Sequence, residues 1–125
     1  MSELKEGLVH ISTSIVKAEH LATKVGSGDM EVFATPAMIA LMENAAMMCV
    51  LEHIDESSST VGISISTTHI RATAINSDVE AVATVTKIDG KKITFSIIAR
   101  DGQGVIGEAT HERYIVDREK FLSRL

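Results

Sequence analysis

Three side chains in this sequence have the types and the spacing to do chemistry together: Thr35, Glu43 and His69. Glu43 lies well inside "FATPAMIALMENAAMMCVLEHI", residues 33–54, the most apolar run in the chain. A carboxylate taken out of water is heavily penalised unless it is paired or hydrogen-bonded. Its neighbours Leu41, Met42, Ala45 and Ala46 offer no partner, which leaves Asn44. His69 follows in the next apolar segment, and an imidazole beside a carboxylate suits general acid–base work near neutral pH. Thr35 stands at the start of the Glu43 run. A helix N-terminus there offers free N–H groups and the positive end of the dipole, which can stabilise an oxyanion where a hydroxyl is at hand. Each residue also has a plainer reading: a polar stripe for Glu43, an N-cap for Thr35, a satisfied core histidine for His69.

The elements that must position them follow from periodicity. "GLVHISTSIV" alternates as a strand, with Leu8, His10, Ser12 and Ser14 opposing Val9, Ile11, Thr13 and Ile15. The connection "KAEHLATKVGSGDMEV" is polar and contains glycine, with no firm signal beyond a possible helical turn. Thr35 as N-cap and Pro36 in the first position open a helix rich in Ala, Met and Leu that runs to about Ile54. Its methionines, Met38, Met42, Met47 and Met48, are expected to fill a core. "DESSST" ends it. "TVGISISTTHI" then alternates, placing Val61, Ile63, Ile65, Thr67 and His69 on one inward face. "EAVATVTKI" and "KKITFSIIAR" flank Asp89-Gly90, a strong hairpin signal, and "ARDGQGVIGEATHERYIV" repeats the pattern through a looser turn.

A strand, one long helix and four antiparallel strands make an α+β arrangement. A helix apolar on every side has to be enclosed, and a curled sheet covers only part of it. This is the outline of the hot-dog fold, an antiparallel sheet wrapped around one long central helix. Residues 1–125 are expected to form a single such domain; a second copy, or the long connection, must cover the rest of the helix, and such folds commonly dimerise.

Composition narrows the function. The chain is 45% hydrophobic with a net charge of -5, which disfavours nonspecific nucleic-acid binding, and it has three Phe, one Tyr and no Trp to stack on bases. No apolar run spans a membrane uninterrupted, and "MSELKEGLVH" lacks an apolar leader segment. The single cysteine, Cys49, fits a reducing cytoplasm. His10, His20 and His53 have no ligand spacing with Cys49 or each other, so no metal site is expected. "GSGD" at 26–29 lacks the flanking elements of a phosphate loop.

Taken together, "VFATPAMIALMENAA", "VGISISTTHI" and "GEATHERYIVDREKF" resemble the fluoroacetyl-CoA thioesterase family of hot-dog proteins, in the same order and over most of the chain. The resemblance implies an acyl-CoA thioesterase that hydrolyses a short or medium acyl-CoA, with coenzyme A as part of the substrate and no separate cofactor. It implies a catalytic set of Thr35, Glu43 and His69. It further implies that the Gly62 backbone N–H holds the thioester carbonyl, that Arg113 lies near the site and the CoA region, and that sites lie at a homodimer interface. A non-catalytic acyl-CoA-binding or regulatory module is the alternative. One departure stands out. Fluoroacetyl-specific members carry lid phenylalanines before the helix, where this chain has "TKVGSGDMEV" with Gly26 and Asp29; Phe33 comes later and is expected to pack at the helix start. The catalytic group carries over, and fluoroacetyl selectivity does not.

Overall fold

The computed structural model describes residues 3–125; residues 1 and 2, which open the span 1–125 read as one domain, lie outside the described residues. In chain order it has β1 (Val9–Ile15), a 3-10 turn (Ala18–His20), α1 (Ala22–Val25), α2 (Thr35–Leu51), β2 (Ser58–Thr67), β3 (Asp78–Asp89), β4 (Lys92–Asp101), β5 (Gly104–Asp117) and α3 (Arg118–Ser123). The strands form one antiparallel sheet in the order β1-β3-β4-β5-β2. The sheet curls around α2, which is the hot-dog arrangement the sequence predicts.

Alternation builds the core. Val79, Ala81, Ala83 and Val85 of β3 and Ile93, Phe95, Ile97 and Ala99 of β4 face inward, against Met38, Met42, Ala45, Ala46, Cys49 and Val50 of α2. Burial pushes the Cys49 thiol up to about 11. Only half of the methionine cluster is core: Met48 is 39% exposed, and Ala40 and Asn44 also lie on the outer side of the helix. On β1 the polar-containing face turns inward, with Ser12 buried and donating to Asn44 Oδ1 at 2.7 Å, while Val9, Ile11 and Ile15 stay exposed. The Asp89-Gly90 hairpin forms as a two-residue turn at Gly90–Lys91, with Gly90 at φ 61. The later turn is equally short rather than loose, pairing Asp101 with Gly104.

Three expectations are corrected. The N-cap of α2 is Ala34 and not Thr35, which is already helical and makes no capping bond. The helix ends at Leu51, short of Ile54. On β2 the register slips between Gly62 and Ser64, so Ile63 is an extra residue in a bulge. A bulge reverses the facing of every residue on one side of it. Cross-strand pairing therefore puts Thr60 and Gly62 on the inward face with Ile115 and Arg113, whereas Val61 pairs outward with Tyr114 and Ile63 is 51% exposed. Ile65 and Thr67 keep the expected facing, opposite His111 and Ala109.

His69 lies beyond β2, in a strap over 68–70 that continues alongside β5. Thr68 N donates to Glu108 O and Ile70 N to Ile106 O, at 2.9 and 2.7 Å. This crossing depends on Gly107. A Cβ there would overlap the Thr68 carbonyl oxygen and press on Met38 Sδ and Cε at 3.0 Å. Gly107→Ala is expected to cost about 1–3 kcal/mol, read as a lower thermal midpoint; an unchanged midpoint would show that the strap moves aside freely.

Candidate active site

The N-terminus of α2 and the strap bring two of the sequence-predicted residues together. Thr35, freed from capping, places Oγ1 2.7 Å from His69 Nδ1. Either atom can carry the shared proton, because a hydroxyl both donates and accepts. His69 Nε2 is buried without a hydrogen-bond partner. Burial lowers the His69 pKa, opposed by the backbone of Arg71, so the ring is held towards its neutral form. A cavity of about 310 Å³ opens beside the pair, lined by Val32, Phe33, Thr35, His69, Ile70 and Arg71 among others. Phe33 is buried against the helix start, edge-on to His20, and Gly26 closes α1 at φ 87.

Glu43 lies elsewhere. It sits on the same helix as Thr35 but about 12 Å further along the axis, and its side chain is 44% exposed rather than buried. The expected partner, Asn44, is taken by Ser12. Glu43 Oε2 instead faces Arg113 Nη1 at 3.8 Å. Gly62 closes this corner: a Cβ on it would stand 3.1 Å from Glu43 Oε2, 3.3 Å from His111 Cε1 and 3.4 Å from Arg113 Nη1. Arg113 is 7% exposed, and its Nε and Nη2 donate to Thr60 Oγ1 and Thr60 O at 2.8 and 3.0 Å. Burial lowers its pKa and Glu43 opposes that shift.

One chain thus holds two groups of polar side chains at different points along α2. Thr35 and His69 form the first; Glu43, Gly62 and Arg113 form the second. The second group also contains His111, which the sequence reading missed. The signal was present: His111 and Arg113 stand two apart in an alternating strand, so both must point the same way. Of the other cations, Arg71 is tied to Asp101 at 2.6 Å and Lys92 to Glu112 at 3.6 Å. Among the described residues no three His, Cys, Asp or Glu side chains gather as a metal site, and no helix is long and apolar enough to cross a membrane.

A hydroxyl–imidazole pair and an exposed carboxylate held near a guanidinium are parts suited to acyl transfer, and comparison with known proteins identifies the lineage. The family model for the fluoroacetyl-CoA-specific thioesterase FlK matches residues 16–119. The chain belongs to the fluoroacetyl-CoA-specific thioesterase family. It is a thioester hydrolase. The fluoroacetyl-CoA thioesterase of Streptantibioticus cattleyicolor is 33% identical over 95 residues, covering 76% of this chain and 68% of that protein. A solved structure of the fluoroacetyl-CoA thioesterase FlK superposes with a TM-score of 0.93 at 26% identity, covering 98% of this chain and 96% of that one. A variant of that enzyme solved with fluoroacetate and CoA gives 0.88 at 27% identity over 94% and 99%.

Burial also lowers the His111 pKa, with Arg113 acting in the same direction and the Ser64 carbonyl, Glu43 and Glu112 opposing. His69 and His111 thus bind protons more weakly folded than unfolded. Their contribution to stability is complete above the unfolded value of about 6.5 and is lost as pH falls from there through the lower folded values. The urea midpoint is expected to drop between about pH 7.5 and about pH 5.5; a flat profile would contradict the burial of both rings.

Proposed function

We propose that this protein hydrolyses short or medium acyl-CoA thioesters at sites shared by two copies of the chain. Thr35 and His69 come from one copy, and Glu43, Gly62 and Arg113 from the other. The observation that carries this reading is the state of Glu43 in the single chain: an exposed carboxylate beside Gly62 on the free edge of the sheet, a long way down the helix from the Thr35–His69 pair. The outer side of α2, with Ala40 and Met48, supports a second copy covering it.

In this mechanism the thioester carbonyl lies between the two groups. The Gly62 N–H and the Thr35 region stabilise the oxyanion. Glu43 either takes a proton from the attacking water or attacks the carbonyl carbon itself, giving an anhydride that water then opens. In both routes the C–S bond breaks, and the CoA thiolate leaves and takes up one of the two protons of the attacking water, relayed by His69, which ends the cycle neutral as it began. Arg113 sets a positive charge 3.8 Å from the Glu43 carboxylate. Coenzyme A enters as part of the substrate, so the reaction calls on no separate cofactor. The cavity beside Thr35 and His69 takes the acyl group, and with Gly26 and Asp29 in place of lid rings it is expected to accept groups larger than fluoroacetyl. A cytoplasmic location belongs to the same proposal, resting on the unpaired Cys49.

Purified protein incubated with acetyl- to long-chain acyl-CoA is expected to release free thiol, with Glu43→Gln slower by about 10²–10⁴ in kcat. CoA-ester binding without thiol release from any substrate would instead favour a regulatory module. Sharing of sites has its own test. Thr35→Ala and Glu43→Gln proteins, each inactive alone, are expected to recover about a quarter of wild-type activity after subunit exchange, because half of the sites in each mixed dimer are intact. No recovery in a mixture shown to have exchanged would place all the groups of a site in one chain.

A further inference from the structure

His111 is buried to 1% exposure at the centre of the Glu43 corner, and the mechanism above does not use it. We propose that His111 is a positioning residue: a neutral ring that holds Arg113, and through it leaves the Glu43 carboxylate untied. The proposal rests on the reading of Glu43 as catalytic.

The partners dictate the ring's protonation. His111 Nδ1 lies 2.7 Å from Ser64 O, and a carbonyl only accepts, so Nδ1 carries the hydrogen. His111 Nε2 lies 3.2 Å from Arg113 Nη1, and a guanidinium only donates, so Nε2 carries the lone pair. The neutral Nδ1–H tautomer alone satisfies both. An imidazolium would set N–H against N–H and cation against cation. The groups around the ring agree: β2 presents the Ser64 carbonyl, Gly62 and the apolar Ile65, β4 presents Phe95 at 6.0 Å between ring centroids, and the charged neighbours are Arg113, Glu43 and Glu112.

The effect on Glu43 follows from how the guanidinium is divided. Nε and Nη2 are committed to Thr60, which leaves Nη1 as the branch between His111 at 3.2 Å and Glu43 at 3.8 Å. The ring engages that branch at hydrogen-bond distance, and the carboxylate stays just beyond it. Arg113 therefore gives Glu43 a nearby positive charge without claiming its oxygens, a state in which a carboxylate can still attack or accept a proton. With the Nη1 acceptor lost, the guanidinium is free to close on Glu43 and tie it up.

Two measurements test this. In wild-type protein, ring ¹⁵N shifts of His111 at neutral pH are expected to show the neutral Nδ1–H tautomer; the Nε2–H tautomer or an imidazolium would overturn the proposal. In turnover, His111→Gln is expected to stay within about threefold of wild-type kcat, because one amide can donate to Ser64 O and accept from Arg113. His111→Leu is expected to lose about tenfold or more in kcat with KM changed less than about threefold. Equal losses in both variants, or a folded Leu variant with kcat within about threefold of wild type, would sink it. Should His111→Leu fail to fold, the ring tautomer and the Gln variant decide. Glu43→Gln run alongside separates the two ideas: normal turnover there removes Glu43 from catalysis, whatever the state of the His111 ring.

Discussion

A guanidinium out of water must have its N–H groups answered, and the corner around Arg113 is built to that requirement. Leaving one buried donor unpaired costs about 1–3 kcal/mol, and more when the group is charged. Thr60 supplies both a hydroxyl and a carbonyl, His111 supplies a ring nitrogen, and Glu43 supplies the countercharge. Each of these depends on local backbone geometry. Thr60 faces inward because of the bulge, and a side chain on Gly62 would crowd Glu43, His111 and Arg113. His111 is oriented by the Ser64 carbonyl immediately past the bulge.

The two groups along α2 rest on different kinds of support. The Glu43 corner is packed against the paired β2 and β5 strands, at the bulge, and held by buried hydrogen bonds. The Thr35–His69 pair depends on a helix terminus and a strap outside the regular strands, fixed by a few backbone bonds to β5 and by the space above Gly107. Paired strands hold side chains more rigidly than such segments do. Motion in the site thus concentrates in the half that carries the hydroxyl and the imidazole, next to the cavity.

Much of this was legible in the sequence, and the misses share a cause. The helix, the hairpin at Asp89-Gly90 and the alternation of β3 and β4 report local preferences, and those are what periodicity reads. Thr35 looked like an N-cap because residue type favours that role; its hydroxyl goes to a histidine far along the chain, which local pattern does not encode. The inward facing of Val61 and Ile63 failed because a bulge is invisible to an alternation count. Glu43 looked buried because its neighbours are apolar, but the sheet encloses only one side of the helix. His111 was visible as the partner of Arg113 at strand spacing, but a histidine between Thr110 and Glu112 resembles an exposed one.

The bulge gives Ile63 a role that its side chain does not. Half-exposed at the edge of the sheet, it looks freely replaceable, and most residues that tolerate an extended edge strand would serve there. Its presence as one more link in the chain is another matter. Removing it would leave Gly62 and Thr60 opposite Arg113 and Ile115 in an unbroken ladder, facing inward as before, and take away the bend and added twist that the bulge gives the strand. The position sets how the strand bends past the guanidinium, and its side chain takes no part in that. Substitutions at Ile63 and a one-residue deletion at the same point therefore belong to separate classes of change.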